Sequence, residues 1–333
     1  MEPVVWNPSE LLKLSGSYWS TCTLHAAVKL DLFTPLTERA RSAPELADEH
    51  GIDARGLAML LDALAALELV TKEQDRYRAT PFAATFLDRK APGYLGHIIL
   101  HHQHLVESWS HLDQAVREGQ PVRHRVSHEP TADERESFLL GMFNLAMLNA
   151  PKVASEIDLA GRRRLLDLGG GPGTYAIHFC QHNPELSALI FDLPTTRPFA
   201  EQILQRFTMT ERIVFHGGDF LVDPLPGTFD VAWLSQVLHG EGPEGCAQML
   251  KKAVAALEAR GLLLVQEFIL DEDRAAPLFP ALFSLNMLLG TPNGQAYSEP
   301  ELVALMQQAG LARIERLPLE LPNGVGILRG YKP

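Results

Sequence analysis

The ten residues RLLDLGGGPG at positions 164–173 limit the folds open to this chain more than any other stretch. Leu165, Leu166 and Leu168 read as a buried strand with Asp167 at its carboxyl end. Gly169, Gly171 and Gly173 then leave the backbone bare, so that a ligand can approach more closely than any Cβ would allow. A helix is expected over 174–182. A strand, a bare turn and a helix amino terminus together build a site at the carboxyl edge of a parallel sheet, where doubly wound α/β folds hold cofactors. The spacing is G-x-G-x-G. The dinucleotide fingerprint G-x-G-x-x-G would need its third glycine at 174, where Thr174 stands.

The rest of the carboxyl-terminal half repeats the rhythm. Residues 186–191 form a second apolar strand ending in Asp192, about 20 residues past the turn, where a carboxylate can take two ribose hydroxyls. Further strands are expected at 213–216, 231–234 and 261–269, with helices at 198–207 and 243–259, and a late strand at 325–329 after the turn Pro322-Asn323-Gly324. Strands alternating with helices at this spacing imply a mainly parallel sheet covered on both faces.

The first 155 residues read as mainly helical. Apolar residues at helical spacing over 11–36 predict one long helix; Ser42, Pro44 and Glu45 open a second, which Gly51 ends. A third helix over 57–69 and a small β-wing at 70 and 77–80 complete a helix-turn-helix-wing pattern. Acidic residues outnumber basic ones between 38 and 78, and the net charge is −12, so no electrostatic footprint for nucleic acid exists. Residues 96–116 predict a helix with His97, His101 and His104 on one face. They could border an acceptor pocket, stand in solvent or converge on a metal; without thiolates or carboxylates at ligand spacing, no metal site is assigned. A last helix over 134–149 carries Phe143 and Met147, suited to core packing or to the face of an aromatic substrate.

Composition narrows the class. At 333 residues the chain suits two domains, expected at 1–155 and 156–333. No apolar run approaches the ~20 residues that cross a bilayer, and no basic-then-apolar leader opens the sequence, so a cytoplasmic protein without a membrane partner is expected. The three cysteines, 22, 180 and 246, are too scattered for a disulfide framework.

With the acidic residue before it, the G-x-G-x-G turn resembles motif I of class I S-adenosylmethionine-dependent methyltransferases. The amino-terminal pattern is similar to the winged-helix dimerisation domain of the caffeate and acetylserotonin type of small-molecule O-methyltransferase, so the resemblance covers nearly the whole chain. It implies an α/β fold with a doubly wound, mainly parallel, seven-stranded methyltransferase sheet behind an α-helical winged-helix domain, and a homodimer through that domain. It implies S-adenosylmethionine as cofactor, S-adenosylhomocysteine as product and a small, aromatic, hydroxylated acceptor.

By resemblance, Asp167, Gly169, Gly171, Gly173, Asp192 and Ser235 hold the cofactor, Asp219 takes the adenine amino group and Phe220 packs on the adenine ring. His239, in LSQVLHGEG, matches the family's base and Glu267 the glutamate that orients it. Phe283, Asn286 and Met287 fall on the helix that walls the acceptor pocket, and Phe143 and Met147 could join them. Two residues depart from the pattern. Gly240 replaces the aspartate after the histidine, and Ala296 stands where the family has a second glutamate. A base with one orienter could also serve an enol carbon, so the alternatives within the class are C-methylation of an enol or tetrapyrrole-like ring and a relative that binds S-adenosylmethionine without transferring its methyl. A metabolite-sensing regulator or a nicotinamide oxidoreductase are the alternatives outside it.

Overall fold

A computed structural model describes residues 5–125 and 131–333. The chain divides into two compact units, one ending at Leu105 and the other beginning at Val106.

In the first unit α1 (Pro8–Ser15), α2 (Tyr18–Lys29) and α3 (Phe33–Glu38) take the place of the single helix expected there. The breaks have local causes: Gly16 closes α1, and Asp31 turns the chain with a left-handed φ of 50° while accepting a 2.6 Å bond from Thr34 Oγ1. A short β1 (Arg41–Ser42) leads into α4 (Ala43–His50), whose Ser42–Glu45 capping box and left-handed Gly51 are those the sequence predicts. Then come α5 (Ala54–Ala66), the wing strands β2 (Val70–Glu73) and β3 (Arg76–Ala79), and α6 (Pro81–Phe86). Leu46, Leu57, Leu61, Leu64 and Tyr77 bury the apolar faces of these elements in one cluster. The helix expected over 96–116 breaks at Ser110 and His111 into α7 (Gly96–Trp109), within which the two units divide, and α8 (Leu112–Glu118).

The second unit continues with α9 (Ala132–Glu156), β4 (Arg164–Leu168), α10 (Thr174–His182), β5 (Ser187–Asp192), α11 (Arg197–Arg206), β6 (Ile213–Gly217) and β7 (Phe229–Ser235). It ends with α12 (Pro243–Ala256), β8 (Leu257–Leu270), α13 (Leu278–Gly290), β9 (Tyr297–Ser298), α14 (Glu299–Gln308), β10 (Ala312–Arg316) and β11 (Val325–Tyr331). The strand order is β10-β11-β8-β7-β4-β5-β6, with β9 paired to β8. β6, β5, β4, β7 and β8 run parallel, and β11 and β10 are antiparallel additions at one edge. β10 lacks the apolar alternation of its neighbours, so no strand is expected there from residue pattern alone.

Alternation along β4 sends Leu165 and Asp167 to one face of the sheet and Leu166 and Leu168 to the other. Leu165 joins Ile177, Phe179 and Trp233 in one core layer; Leu166 and Leu168 join Met249, Leu250 and Met306 in the second. The helix α9, expected with the amino-terminal domain, belongs to the second unit, because Phe143, Ala150, Val153 and Ala154 bury their side chains in the first of these layers. Strand order reverses at β4, which has β5 on one side and β7 on the other. Its carboxyl end therefore opens a crevice between diverging connections, the position at which such sheets bind ligands.

Candidate active site

The glycine turn leaves β4 at this crevice. The Gly169 N–H bonds Phe191 O at 2.8 Å, and that of Gly173 bonds Gly170 O at 2.9 Å before α10 begins. Gly169, Gly171 and Gly173 all have positive φ, but for different ends. A Cβ on Gly169 would collide with Val237, and one on Gly173 with Ile190, whereas one on Gly171 would meet nothing within 4 Å. Two of the glycines admit packing; the third faces open space.

Two carboxylates flank the turn. Asp167 is 1% exposed, lies directly beneath Gly170, and its Oδ2 has no hydrogen-bond partner. Burial raises its carboxyl to about 7, against a bond from the Ala176 N–H, and the Asp192 charge adds to the rise. Asp192, at the end of β5, accepts the Gly171 N–H at 2.8 Å through Oδ2 and the Leu193 N–H and Thr196 hydroxyl through Oδ1. Burial raises this carboxyl too, and those three bonds oppose the rise.

Around the crevice, Phe220 adjoins the turn, 3.7 Å from the position of a Cβ on Gly169. Asp219 accepts the Leu221 N–H at 2.8 Å and so fixes the local bend. Ser235, ending β7, accepts Gln266 Nε2 at 3.0 Å; the same amide donates to Tyr175 at 2.8 Å, and Gln266 Oε1 and Thr174 Oγ1 are buried without partners. Unspent buried acceptors, including a carboxylate oxygen, beside a turn with room for a ligand suit a cationic amino-acid cofactor. S-adenosylmethionine fits this donor and acceptor set.

The second cluster stands past β7, on a short 3-10 turn Leu238–Gly240. His239 Nδ1 lies 2.8 Å from Glu267 Oε2, and the other oxygen of that carboxylate accepts the Leu238 N–H at 2.8 Å. One side chain, 1% exposed, thus fixes both the turn and the ring it carries. Since a carboxylate accepts, Nδ1 holds the proton and Nε2 keeps its lone pair. The Phe283 ring meets the imidazole edge-on at 4.7 Å, and Phe268 lies 4.6 Å from Phe283 and 4.9 Å from Phe279, giving the base an apolar flank.

The two departures noted in the sequence have structural counterparts. Ala296 is fully buried and gives its N–H to Ser284 Oγ at 3.1 Å. Glu241 turns its carboxylate to Arg125 at 2.5 Å, and the Arg125 guanidinium passes 2.5 Å from where a Cβ on Gly240 would stand. Glu267 is therefore the carboxylate that meets the imidazole.

Of the acceptor-side residues, Phe283, Asn286 and Met287 lie together on α13, and Phe283 touches His239. Phe143 and Met147 lie apart from these in sequence, on α9. Phe143 is 6% exposed, with Phe207 edge-on to its ring at 6.2 Å and the Arg206 guanidinium over it, and Met147 meets His178 Nε2 at 3.4 Å. Both pack α9 against its neighbours. On α7, the His97 ring meets Tyr94 edge-on at 5.3 Å. Among the described residues no group of three His, Cys, Asp or Glu is placed to hold a metal ion, and no helix is long and apolar enough to cross a membrane. Sequence reasoning missed Arg123, Arg125, Gln266 and Phe268. Gln266 and Phe268 carried a signal, as the neighbours of Glu267 on the same strand.

Comparison with known proteins agrees with this geometry. The sequence model of the O-methyltransferase domain matches residues 109–312, and that of the O-methyltransferase dimerisation domain matches 12–89. The chain is 33% identical to the 3-hydroxy-5-methyl-1-naphthoate 3-O-methyltransferase of Streptomyces sahachiroi, over 99% of this chain and 97% of that one. It is 32% identical to the tetracenomycin polyketide synthesis 8-O-methyl transferase TcmO of Streptomyces glaucescens, over 99% and 98%. The crystal structure of human N-acetylserotonin methyltransferase in complex with S-adenosylmethionine superposes with a TM-score of 0.87 at 26% identity, covering 99% of each chain. The chain belongs to the S-adenosylmethionine-dependent O-methyltransferases, with a dimerisation domain ahead of the catalytic one.

Proposed function

We propose that this enzyme, a homodimer in the cytoplasm, methylates a hydroxyl on a small aromatic acceptor with His239 as general base. The observation that carries the reading is the bond from His239 Nδ1 to Glu267 Oε2, because it leaves Nε2 as the basic nitrogen of a ring held in one orientation. Three named relatives support the acceptor class, since one acts on a hydroxynaphthoate, one on a polyketide and one on N-acetylserotonin.

When bound, the cofactor would supply a sulfonium methyl group to the acceptor oxygen, with S-adenosylhomocysteine leaving as the neutral thioether. Asp167 would offer an acceptor to the cofactor's ammonium and Asp192 to its ribose, Asp219 with Phe220 would take the adenine, and Gly171 leaves the room. His239 Nε2 removes the hydroxyl proton as the oxygen attacks, which matters because a phenol with pKa near 10 is mostly neutral at pH 7. Glu267 stabilises the imidazolium that results. Phe268, Phe279 and Phe283 keep water from the base, so that alignment of oxygen, carbon and sulfur supplies much of the rate.

Calorimetric titration with S-adenosylmethionine, followed by transfer of its labelled methyl to a panel of phenols, tests the reading. Saturable binding and an alkali-stable aryl methyl ether are expected. No heat and no thermal shift would end it.

A further inference from the structure

A segment that the roles above leave unused runs along the acceptor side of the site. Between α8 and the catalytic helices, the N–H groups of Val122 and Arg123 both bond Leu289 O, at 3.0 and 3.2 Å, so this strap is tied to a carbonyl in the last turn of α13. The Arg123 guanidinium crosses the same turn at Gly290, where a Cβ would come within 2.5 Å of its carbon. Its Nη2 donates to Asn286 O at 3.3 Å and to Asn286 Oδ1 at 3.2 Å.

That bond sets the chemistry of Asn286. A guanidinium only donates, so the amide atom facing Arg123 must be the oxygen, and the NH2 group points to the other side. Among the described residues Nδ2 bonds no protein acceptor, and it is not a buried atom. Asn286 follows Phe283 by three residues, which puts the two on one face of α13, and the Phe283 ring touches the His239 ring. Two free N–H donors therefore stand one helical turn from the base. The strap adds an unspent donor of its own: Arg123 Nε is buried with no partner, whereas Arg125, two residues along, is already paired with Glu241.

We propose that Arg123 is a positioning residue that fixes the Asn286 amide as a donor and so selects acceptors carrying a carbonyl or carboxylate oxygen beside the hydroxyl to be methylated. The proposal rests on the reading that α13 walls the acceptor pocket. It goes further in naming the second functional group of the acceptor and the residue that selects it.

The test compares 3-hydroxy-2-naphthoate with 2-naphthol, which share a ring system and a hydroxyl and differ in the carboxylate. Each is titrated into full-length protein loaded with S-adenosylhomocysteine. Wild type should bind the hydroxynaphthoate at least tenfold more tightly. Arg123→Lys, which still only donates, should keep a several-fold preference, whereas Arg123→Met and Asn286→Leu should bring the two within about twofold. In turnover the loss should fall on KM rather than kcat. A merely structural role would weaken both ligands alike and leave their ratio unchanged. Near-equal binding by wild type, binding of neither compound, or a preference surviving in both Arg123→Met and Asn286→Leu would overturn the proposal. Selective binding of the hydroxynaphthoate without methyl transfer would support it while counting against the reaction assigned above.

Discussion

At the residue scale the site comes down to two carboxylates with opposite tasks. Glu267 spends both oxygens, on the Leu238 N–H and on His239 Nδ1, whereas Asp167 keeps one oxygen buried and unspent. The first arrangement predicts that His239→Ala leaves cofactor affinity within a few-fold but lowers turnover of a phenolic acceptor by roughly 10² or more. Unchanged turnover in a stopped methyl-transfer assay would remove the imidazole from the mechanism. The second predicts a pH dependence. Below about pH 3 the Asp167 carboxyl is protonated both folded and unfolded, so it costs nothing. As pH rises to about 7 the unfolded carboxyl ionises first, and the folded state loses stability by an amount that levels off above 7. Asp167→Asn should therefore stabilise the cofactor-free protein at pH 8, by up to about 4 kcal/mol, and do nothing at about pH 3. A cationic cofactor favours the ionised form, so its affinity should weaken by up to about fivefold between pH 7 and pH 6 in wild type and stay flat in Asp167→Asn. Calorimetry at several pH values reads both effects. Asp167 and Asp192 stood out because they close strands whose hydrophobic runs are plain, whereas His239 and Glu267 were singled out by the resemblance and lie 2.8 Å apart in the fold. Arg123 and Arg125 were not legible, because no periodic pattern surrounds them and their partners, Asn286 and Glu241, stand far away in sequence.

Elements explain why the glycines of the turn are not equivalent. Gly173 has its Cβ direction filled by Ile190, a fully buried side chain with nowhere to retreat, so Gly173→Ala should cost about 1–3 kcal/mol in overpacking on top of left-handed strain. Gly171→Ala meets no protein atom and pays only the strain, about 1–2 kcal/mol. On the proposed reading its methyl would instead enter the space that Gly171 leaves for the cofactor. Urea melts should show the smaller loss for Gly171→Ala, while calorimetry shows tenfold or greater loss of S-adenosylmethionine affinity. A Gly171→Ala protein with normal affinity would place the cofactor elsewhere. Spacing alone identified the turn, but it could not sort packing glycines from the ligand glycine, since that depends on side chains from β5 and from the loop after β7. The same limit explains the helix boundaries. The pattern over 11–36 is continuous, yet Gly16 and the left-handed Asp31 cut it into three helices, and Asp31 is not a residue that announces a break.

For the whole molecule, the division into two units follows from where apolar faces are spent. Helix α9 looked like a companion of the amino-terminal helices because it precedes the cofactor strand, but its buried residues complete the layer over β4 and β7. In the first unit the reverse holds, for α1 buries no residue at all. Its Leu11, Leu12 and Leu14, with Tyr18 and Trp19 on α2 and Trp6 just before, are each more than half exposed. So large an exposed apolar surface marks an interface, and the segment lies within or beside the part matched as an O-methyltransferase dimerisation domain. Burying a large apolar side chain contributes about 1.5–3 kcal/mol. Replacing Leu12 and Trp19 by serine should thus remove about 3–6 kcal/mol from association and raise the dimer dissociation constant on the order of 10²–10⁴-fold. Neither side chain supports the cluster built on Leu46, Leu61 and Leu64, so the fold of the unit itself should survive. Sedimentation velocity at micromolar concentration should show a dimer for wild type and a folded monomer for the double variant, with circular dichroism unchanged. A variant that stays dimeric would move the interface away from these helices; a wild type that is already monomeric would leave their apolar faces without the partner that the dimerisation domain calls for.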